Sequence, residues 1–332
     1  MYRTFKNGLC TLGIGSLLLA TTALDVTAAD PEILQYQGYN PETIAAIYQG
    51  NWAVGESELS GELYLPDGDG PFPVVVFQHG SGHKDNLESW YRVVIPSLHK
   101  AGIGGFVANS YDGRGLRSTV RDQRRLSKSA RIVDALMALK SLSAHPKVDA
   151  ARIGVTGYSF GGIVALETAD RRTVESVLGK ELRFAAHLPV YPSCTAHREK
   201  IDMTGAPMLI LAGADDDYTP ARFCESYVPK LVQAGFPVSI KVYPDAGHSF
   251  VHVIDRYLSK AATFNRCGPA TLTNDGYHVL DDISDRGGSW ADFVGAAFRK
   301  CGELGAHLYG TRKSRMSARD DTVAFFARNL SR

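Results

Sequence analysis

Residues 153–166 read Ile153-Gly154-Val155-Thr156-Gly157-Tyr158-Ser159-Phe160-Gly161-Gly162-Ile163-Val164-Ala165-Leu166, and they decide how this chain folds. Ile153–Thr156 suits a strand covered on both faces, and Ile163–Leu166 opens a helix. Between them lies a Gly-x-Ser-x-Gly pentapeptide. In so sharp a strand–turn–helix, side chains two positions either side of the serine would collide with the adjacent strand and helix, so glycine is needed at both. The same turn lifts the serine hydroxyl out of the sheet and aims the following amides at one spot. Gly162 adds room for close packing.

On both sides of this segment, strands and helices alternate. Upstream, Asn40-Pro41-Glu42 offers a helix cap ahead of Ile44, Ala45 and Ile47. Leu63–Leu65 reads as a strand ended by the turn chemistry of Pro66–Pro71. Val74–Phe77 is a continuous apolar strand, residues 86–100 a helix, and Phe106–Ala108 the end of another strand. Leu126, Ala130, Val133, Leu136 and Met137 recur at helical spacing within Asp122–Ser143, which His145-Pro146 ends. Downstream come strands at Phe184–Val190, Met208–Ala212 and Val238–Val242, and a helix at Ala318–Leu330. Such alternation predicts an α/β fold, a mostly parallel central sheet with helices on both faces, in one domain spanning residues 30–332. Two stretches resist. Pro229 falls inside a helix it should kink, split or delay. Residues 251–289 form a connection long enough to be an insertion near the site.

The chain has 332 residues, 44% apolar and 21% charged, with 36 basic against 35 acidic side chains. These values describe a soluble globular protein, and the near-zero charge argues against a broad nucleic-acid or anionic-membrane surface. Arg3 and Lys6, an apolar run over Leu9–Ala20 and the small residues Val26–Ala29 have the form of a secretory signal peptide over residues 1–29. Export places the remaining cysteines, Cys194, Cys224, Cys267 and Cys301, in an oxidising compartment, secreted or periplasmic, where two disulfides are expected. Of three possible pairings, Cys194 with Cys224 and Cys267 with Cys301 close the shortest loops. No CxxC spacing suggests zinc.

A serine at such a turn acts as a nucleophile only with a base, a group that orients the base, and an anion site. The turn His79-Gly80-Ser81-Gly82 follows the Val74–Phe77 strand and can leave backbone N–H groups free, so the amides of Ser81 and Phe160 are the candidate oxyanion donors. Asp215, Asp216 and Asp217 follow the Met208–Ala212 strand. Three adjacent carboxylates cannot all be buried ionised, and the pattern does not select among them. His248 is the first histidine after the last strand, in a glycine loop. Tyr111, Phe160, Tyr218 and Phe250 flank the expected site, with Tyr111 and Tyr218 the candidate substrate contacts.

With these residues in view, the chain resembles the α/β-hydrolase superfamily and, within it, the dienelactone-hydrolase-like family, over roughly Phe72 to Phe250. The resemblance rests on His79–Gly82, Gly157–Gly162, Gly213–Pro220 and Tyr243–Phe250. It implies the α/β-hydrolase fold, the catalytic order Ser159, Asp216, His248, and Asp216 rather than its neighbours as the acid. Many members carry a cysteine nucleophile; Ser159 here points to a serine esterase rather than a cyclic-lactone specialist. Asn109 stands where an aspartate is commoner, and Arg114 is a candidate either for a substrate carboxylate or for an internal salt bridge. The expected function is hydrolysis of carboxylic esters, with lactones a further option, through an acyl-enzyme. It needs no metal or organic cofactor, and its partner is a small-molecule ester, with a monomer assumed. The alternatives are a serine peptidase of prolyl-oligopeptidase type and a non-catalytic binding protein on the same scaffold.

Overall fold

In the computed structural model, which describes residues 1–2 and 30–331, Val74–Phe77 lies at the centre of an eight-stranded sheet. Residues 3–29 of the expected signal peptide lie outside the described residues. The sheet strands are β1 (Glu32–Gly38), β2 (Ser57–Tyr64), β3 (Phe72–Gln78), β4 (Gly104–Asn109), β5 (Val148–Tyr158), β6 (Ala186–Val190), β7 (Met208–Gly213) and β8 (Val238–Tyr243), in spatial order β1-β2-β4-β3-β5-β6-β7-β8. Pairing is antiparallel at β1–β2 and β2–β4 and parallel from β4 to β8. This is the α/β-hydrolase fold.

The continuous apolar run in β3 is explained by its two faces. Val75 and Phe77 pack with Trp90, Val94 and Leu98 of α2 (Glu88–His99) and with Phe326 and Leu330 of the C-terminal helix. Val74 and Val76 pack on the other side with Ile132, Val133, Leu136 and Leu139. Period-two alternation therefore exists, but both faces are dry.

Helices fall where their caps put them. α1 (Ile44–Tyr48) is capped by Thr43, whose Oγ1 accepts from Ala46 N, rather than by Asn40. α3 (Lys128–Ser143) starts only after Ser127, whose Oγ accepts from Ala130 N; the expected first turn is a separate 3₁₀ turn at Gln123–Arg125. α4 (Phe160–Glu167) and α5 (Arg171–Leu178) follow β5. α6 (Ala221–Gln233) starts directly after Pro220 and runs through Pro229, so it is neither split nor delayed there. The carbonyl that loses its partner there belongs to Glu225, an exposed residue, so no buried acceptor is stranded. α7 (Trp290–Cys301) and α8 (Arg312–Leu330) complete the set, α8 beginning six residues earlier than its apolar face suggests because Thr311 and Ser314 form a capping box.

The stretch after β8 is not structureless. Ile254–Thr263 pairs antiparallel with Glu303–Gly310. Ala270–Leu272 pairs with His278–Leu280 and, in parallel, with Ala196–Arg198. With α7 these short strands extend from 254 to 310, further than the 251–289 connection expected. Both disulfides pair as the shortest loops suggest, Cys194 with Cys224 and Cys267 with Cys301. Among the described residues, no helix is long and apolar enough to cross a membrane.

A buried polar network joins the core to this added layer. Lys128 Nζ donates to Glu167 (3.1 Å) and to His278 Nε2 (2.7 Å), His278 Nδ1 faces Asp285 (2.9 Å), and Arg198 pairs with Glu167 and Asp170. Burial pushes the Glu167 carboxyl up, but Lys128 and Arg198 outweigh it and hold it at about 2, below its ordinary 4.5. A depressed carboxylate contributes stability fully above pH 4.5 and loses it as pH falls toward 2. Glu167→Gln should therefore lower stability at pH 7 by about 3 kcal/mol, the scale of breaking a buried pair. Thermal unfolding from pH 7 to 2 should show the gap between variant and wild type narrowing below pH 4.5; a constant gap would refute this origin.

Candidate active site

The register of the parallel strands brings their carboxyl ends level. Gln78 of β3 lies opposite Gly157, Tyr158 opposite Val190 of β6, Val190 opposite Leu211 of β7, and Gly213 opposite Tyr243 of β8. The loops leaving these ends carry Ser81, Ser159, Asp216 and His248 in a row, where open α/β sheets present ligands.

Ser159 joins β5 to α4 at φ 57° and ψ −115°, a conformation that costs about 1–3 kcal/mol and survives only where surroundings enforce it. The enforcement is visible. Ser159 N donates to Val190 O (3.0 Å), and Ser159 O accepts from Ile163 N (3.0 Å). A Cβ on Gly157 would lie 2.0 Å from Gly161 O, and one on Gly161 would lie 2.1 Å from Gln78 O. Both glycines of the pentapeptide are thus required by close backbone approach, as the steric argument anticipates.

Ser159 Oγ lies 2.9 Å from His248 Nε2, and His248 Nδ1 lies 2.9 Å from Asp216 Oδ2. Asp216 Oδ1 accepts from the backbone N–H groups of Tyr218 (2.9 Å) and Thr219 (2.7 Å), and Oδ2 accepts from Thr219 Oγ1 (3.0 Å). These three donors fix the carboxyl group and turn Oδ2 toward the imidazole. His248 is buried between two aromatic rings, Tyr191 at 4.8 Å and Tyr218 at 4.7 Å between centroids. Its loop is pinned from outside: Tyr309 N donates to His248 O (2.8 Å) and Gly247 N to Tyr309 O (3.0 Å). The geometry lets Nδ1–H donate to Asp216 and leaves Nε2 free to accept the Ser159 proton.

The three adjacent aspartates have separate fates. Asp215 is exposed, and Asp217 faces outward to accept from His307 N and to pair with His307 Nδ1, both at 2.8 Å. Only Asp216 is buried.

Ser81 and Phe160 both line the cavity that Ser159 opens into. Phe160 occupies the first position of α4, where the N–H has no carbonyl one turn back. A Cβ on Gly80 would lie 3.4 Å from Ser159 Cβ, so the His79–Gly82 turn rests directly against the serine.

Tyr218 lines the cavity, but Tyr111 does not. Tyr111 is fully buried behind the turn, its hydroxyl 2.9 Å from Thr119 Oγ1 and 3.3 Å from Ser81 O, so it supports the loop rather than touching substrate. Phe250 is likewise core, packed on Tyr191 and Tyr243. Arg114 resolves as an internal clamp, with a bidentate pair to buried Asp134 (2.8 and 2.9 Å). Asn109 folds its own loop, accepting from Tyr111 N and Asp112 N.

The cavity measures about 160 Å³, and much of its wall comes from residues that sequence reading did not single out. Phe264, Trp290, Phe293 and Val294 supply an apolar side from the 254–310 layer, while Lys128 and His278 supply polar positions. Cys194 and Cys267, one from each disulfide, also line it. The one available signal was the density of aromatics and turn residues in 264–293, which shows that the segment is structured but not which way it faces. Among the described residues, no group of three or more His, Cys, Asp or Glu side chains is placed to hold a metal ion.

Comparison with known proteins adds context to this geometry. The sequence profile of the dienelactone hydrolase family matches residues 59–265. Esterase EstD of Thermotoga maritima is 31% identical over 125 residues, 36% of this chain and 29% of that protein. A putative carboxymethylenebutenolidase of Methylorubrum extorquens is 28% identical over 200 residues, 56% of this chain and 66% of that one. The chain thus covers less than two thirds of either relative's length. A putative dienelactone hydrolase structure from Klebsiella pneumoniae superposes with a TM-score of 0.46 at 20% identity, covering 66% of this chain and 89% of its own.

Proposed function

The chain belongs to the dienelactone hydrolase family, and from that premise we propose that it is a carboxylic ester hydrolase acting through Ser159, His248 and Asp216. The observation that carries this is the unbroken relay of two 2.9 Å contacts from Ser159 Oγ through His248 to Asp216. His248 Nε2 takes the hydroxyl proton as Oγ attacks the ester carbonyl, and Asp216 holds the imidazole in the required tautomer and stabilises the imidazolium. The tetrahedral oxyanion is received by the amides of Ser81 and Phe160. The imidazolium then protonates the departing alcohol, the C–O bond breaks and an acyl-enzyme remains. Water, deprotonated by the same nitrogen, repeats the sequence and releases the acid.

The layer formed by residues 254–310 acts in this reading as a cap on one α/β-hydrolase domain. A cavity near 160 Å³ matches the size of one that accommodates a single benzene ring. That size and the apolar lining favour short aliphatic or one-ring esters over long acyl chains. Two disulfides support maturation in an oxidising compartment, in keeping with a secretory leader at residues 1–29.

The test is a fluorophosphonate probe together with a panel of p-nitrophenyl esters and peptide p-nitroanilides on purified protein. The expected result is labelling at Ser159 and turnover of acetate to butyrate and benzoate esters, falling steeply by octanoate, with anilides far slower. Absence of labelling would favour a binding protein, and anilide turnover matching the esters would favour a peptidase.

A further inference from the structure

Arg131, in the first turn of α3, is among the most buried side chains of the protein, 1% exposed. Its guanidinium donates through Nη2 to His79 O (2.6 Å) and, at longer range, through Nη1 to Gly80 O (3.4 Å). It also lies over the rings of Tyr111 (5.3 Å) and Phe160 (5.5 Å). Among the described residues no ion pair joins it to a carboxylate. Asp134, on the next turn, is taken bidentately by Arg114. A buried cation without a contacting counter-ion is strongly unfavourable unless something compensates it.

The peptide geometry points to what compensates it. In a trans peptide the C=O and N–H point in opposite directions. The carbonyls that Arg131 holds are those of the His79–Gly80 and Gly80–Ser81 peptides, whose N–H groups belong to Gly80 and Ser81. Gly80 O is further fixed by His79 Nδ1 at 2.9 Å, and Tyr111 Oη lies 3.5 Å from it. With that carbonyl drawn inward, the Ser81 N–H faces the other way, from a loop that rests against Ser159. The guanidinium also lies 5.5 Å from the ring of Phe160, the residue bearing the second candidate donor.

We infer that Arg131 is a positioning residue for the oxyanion hole. From behind it orients and polarises the peptide that presents the Ser81 amide, and its charge, which no carboxylate contacts, complements the negative charge that appears on the substrate oxygen only in the tetrahedral state. The inference rests on the esterase reading above and adds to it the source of that site's electrostatic bias.

The test compares Arg131→Gln and Arg131→Lys with wild type, using a short-chain p-nitrophenyl ester and an arylboronic acid, which forms a tetrahedral adduct on an activated serine. For Gln, kcat should fall by about tenfold or more, less than the roughly 10²–10³ for deleting a direct donor, with KM within about threefold. Boronate affinity should fall by the same factor as kcat/KM, and Lys, which keeps the charge, should recover several-fold. If Gln does not fold, Arg131→Met takes its place as the neutral variant, read by the same criteria. Unchanged kcat in a folded neutral variant, a loss confined to KM, or boronate affinity unaltered while kcat falls overturns it. Wild type serves as the control for the underlying reading: failure of wild type to react with fluorophosphonate or turn over ester removes the esterase itself, whereas active wild type with equally active variants removes only Arg131.

Discussion

Ser159→Ala should lower ester turnover by about 10³-fold or more, the scale of deleting a nucleophile from a working serine relay. The effect is chemical rather than structural. The elbow is held by backbone bonds from Ser159 N to Val190 O and from Ile163 N to Ser159 O, neither of which involves the hydroxyl. Alanine occupies the same φ of 57° with the same Cβ, so the melting temperature should stay within a few degrees. The variant should also lose fluorophosphonate labelling, while His248 keeps its contact with Asp216. Calorimetry beside steady-state assays checks both halves. A folded alanine variant that retains turnover within tenfold of wild type would mean that another group attacks the ester.

Asp216→Asn should cost about 10³–10⁴-fold in kcat, although it changes one atom. Oδ1 of this side chain accepts two backbone N–H groups, from Tyr218 and Thr219, so the amide oxygen of an asparagine is forced into that position. Its NH₂ must then face His248 Nδ1, which can only accept. The imidazole switches to the tautomer with its proton on Nε2, pointing at Ser159 Oγ, and the base is lost. Asp215→Asn, on an exposed side chain next door, should stay within about twofold of wild type. Measuring kcat for the two variants on one ester separates a directional requirement from a generic need for negative charge. Equal effects would refute the directional account.

These expectations begin in a short stretch of sequence, and its legibility has a physical cause. The Gly-x-Ser-x-Gly segment is readable because its two glycines answer to contacts within a few residues of themselves and with the adjacent strand, so local sequence carries the constraint. His248 is readable because strand alternation ends just before it. Asp216 is not separable from its neighbours by pattern. What distinguishes it is an Asx-type turn onto Tyr218 and Thr219, while Asp217 turns away toward His307, ninety residues on. Aromatic residues near the site were legible as neighbours but not in direction, which is why Tyr111 and Phe250 belong to the support and the core. The layer at 254–310 was least legible. Its strands are mostly two or three residues long and pair across large separations, as Ala196–Arg198 does with Ala270–Leu272, and no local periodicity encodes such partners. The N-cap at Ser127 shows the same limit on a smaller scale, since an apolar period marks a helix face but not its first residue.

The two cystines touch the chamber in which substrate is to be turned over, through Cys194 and Cys267. Both bonds form after translation, and each ties a residue of that wall to a second segment of the chain. A batch folded among reductants and a batch matured by thiol oxidases share one sequence and one hydroxyl at the elbow, but only in the second is the facing wall covalently tied. Any ranking of esters for this protein begins with a count of its free thiols.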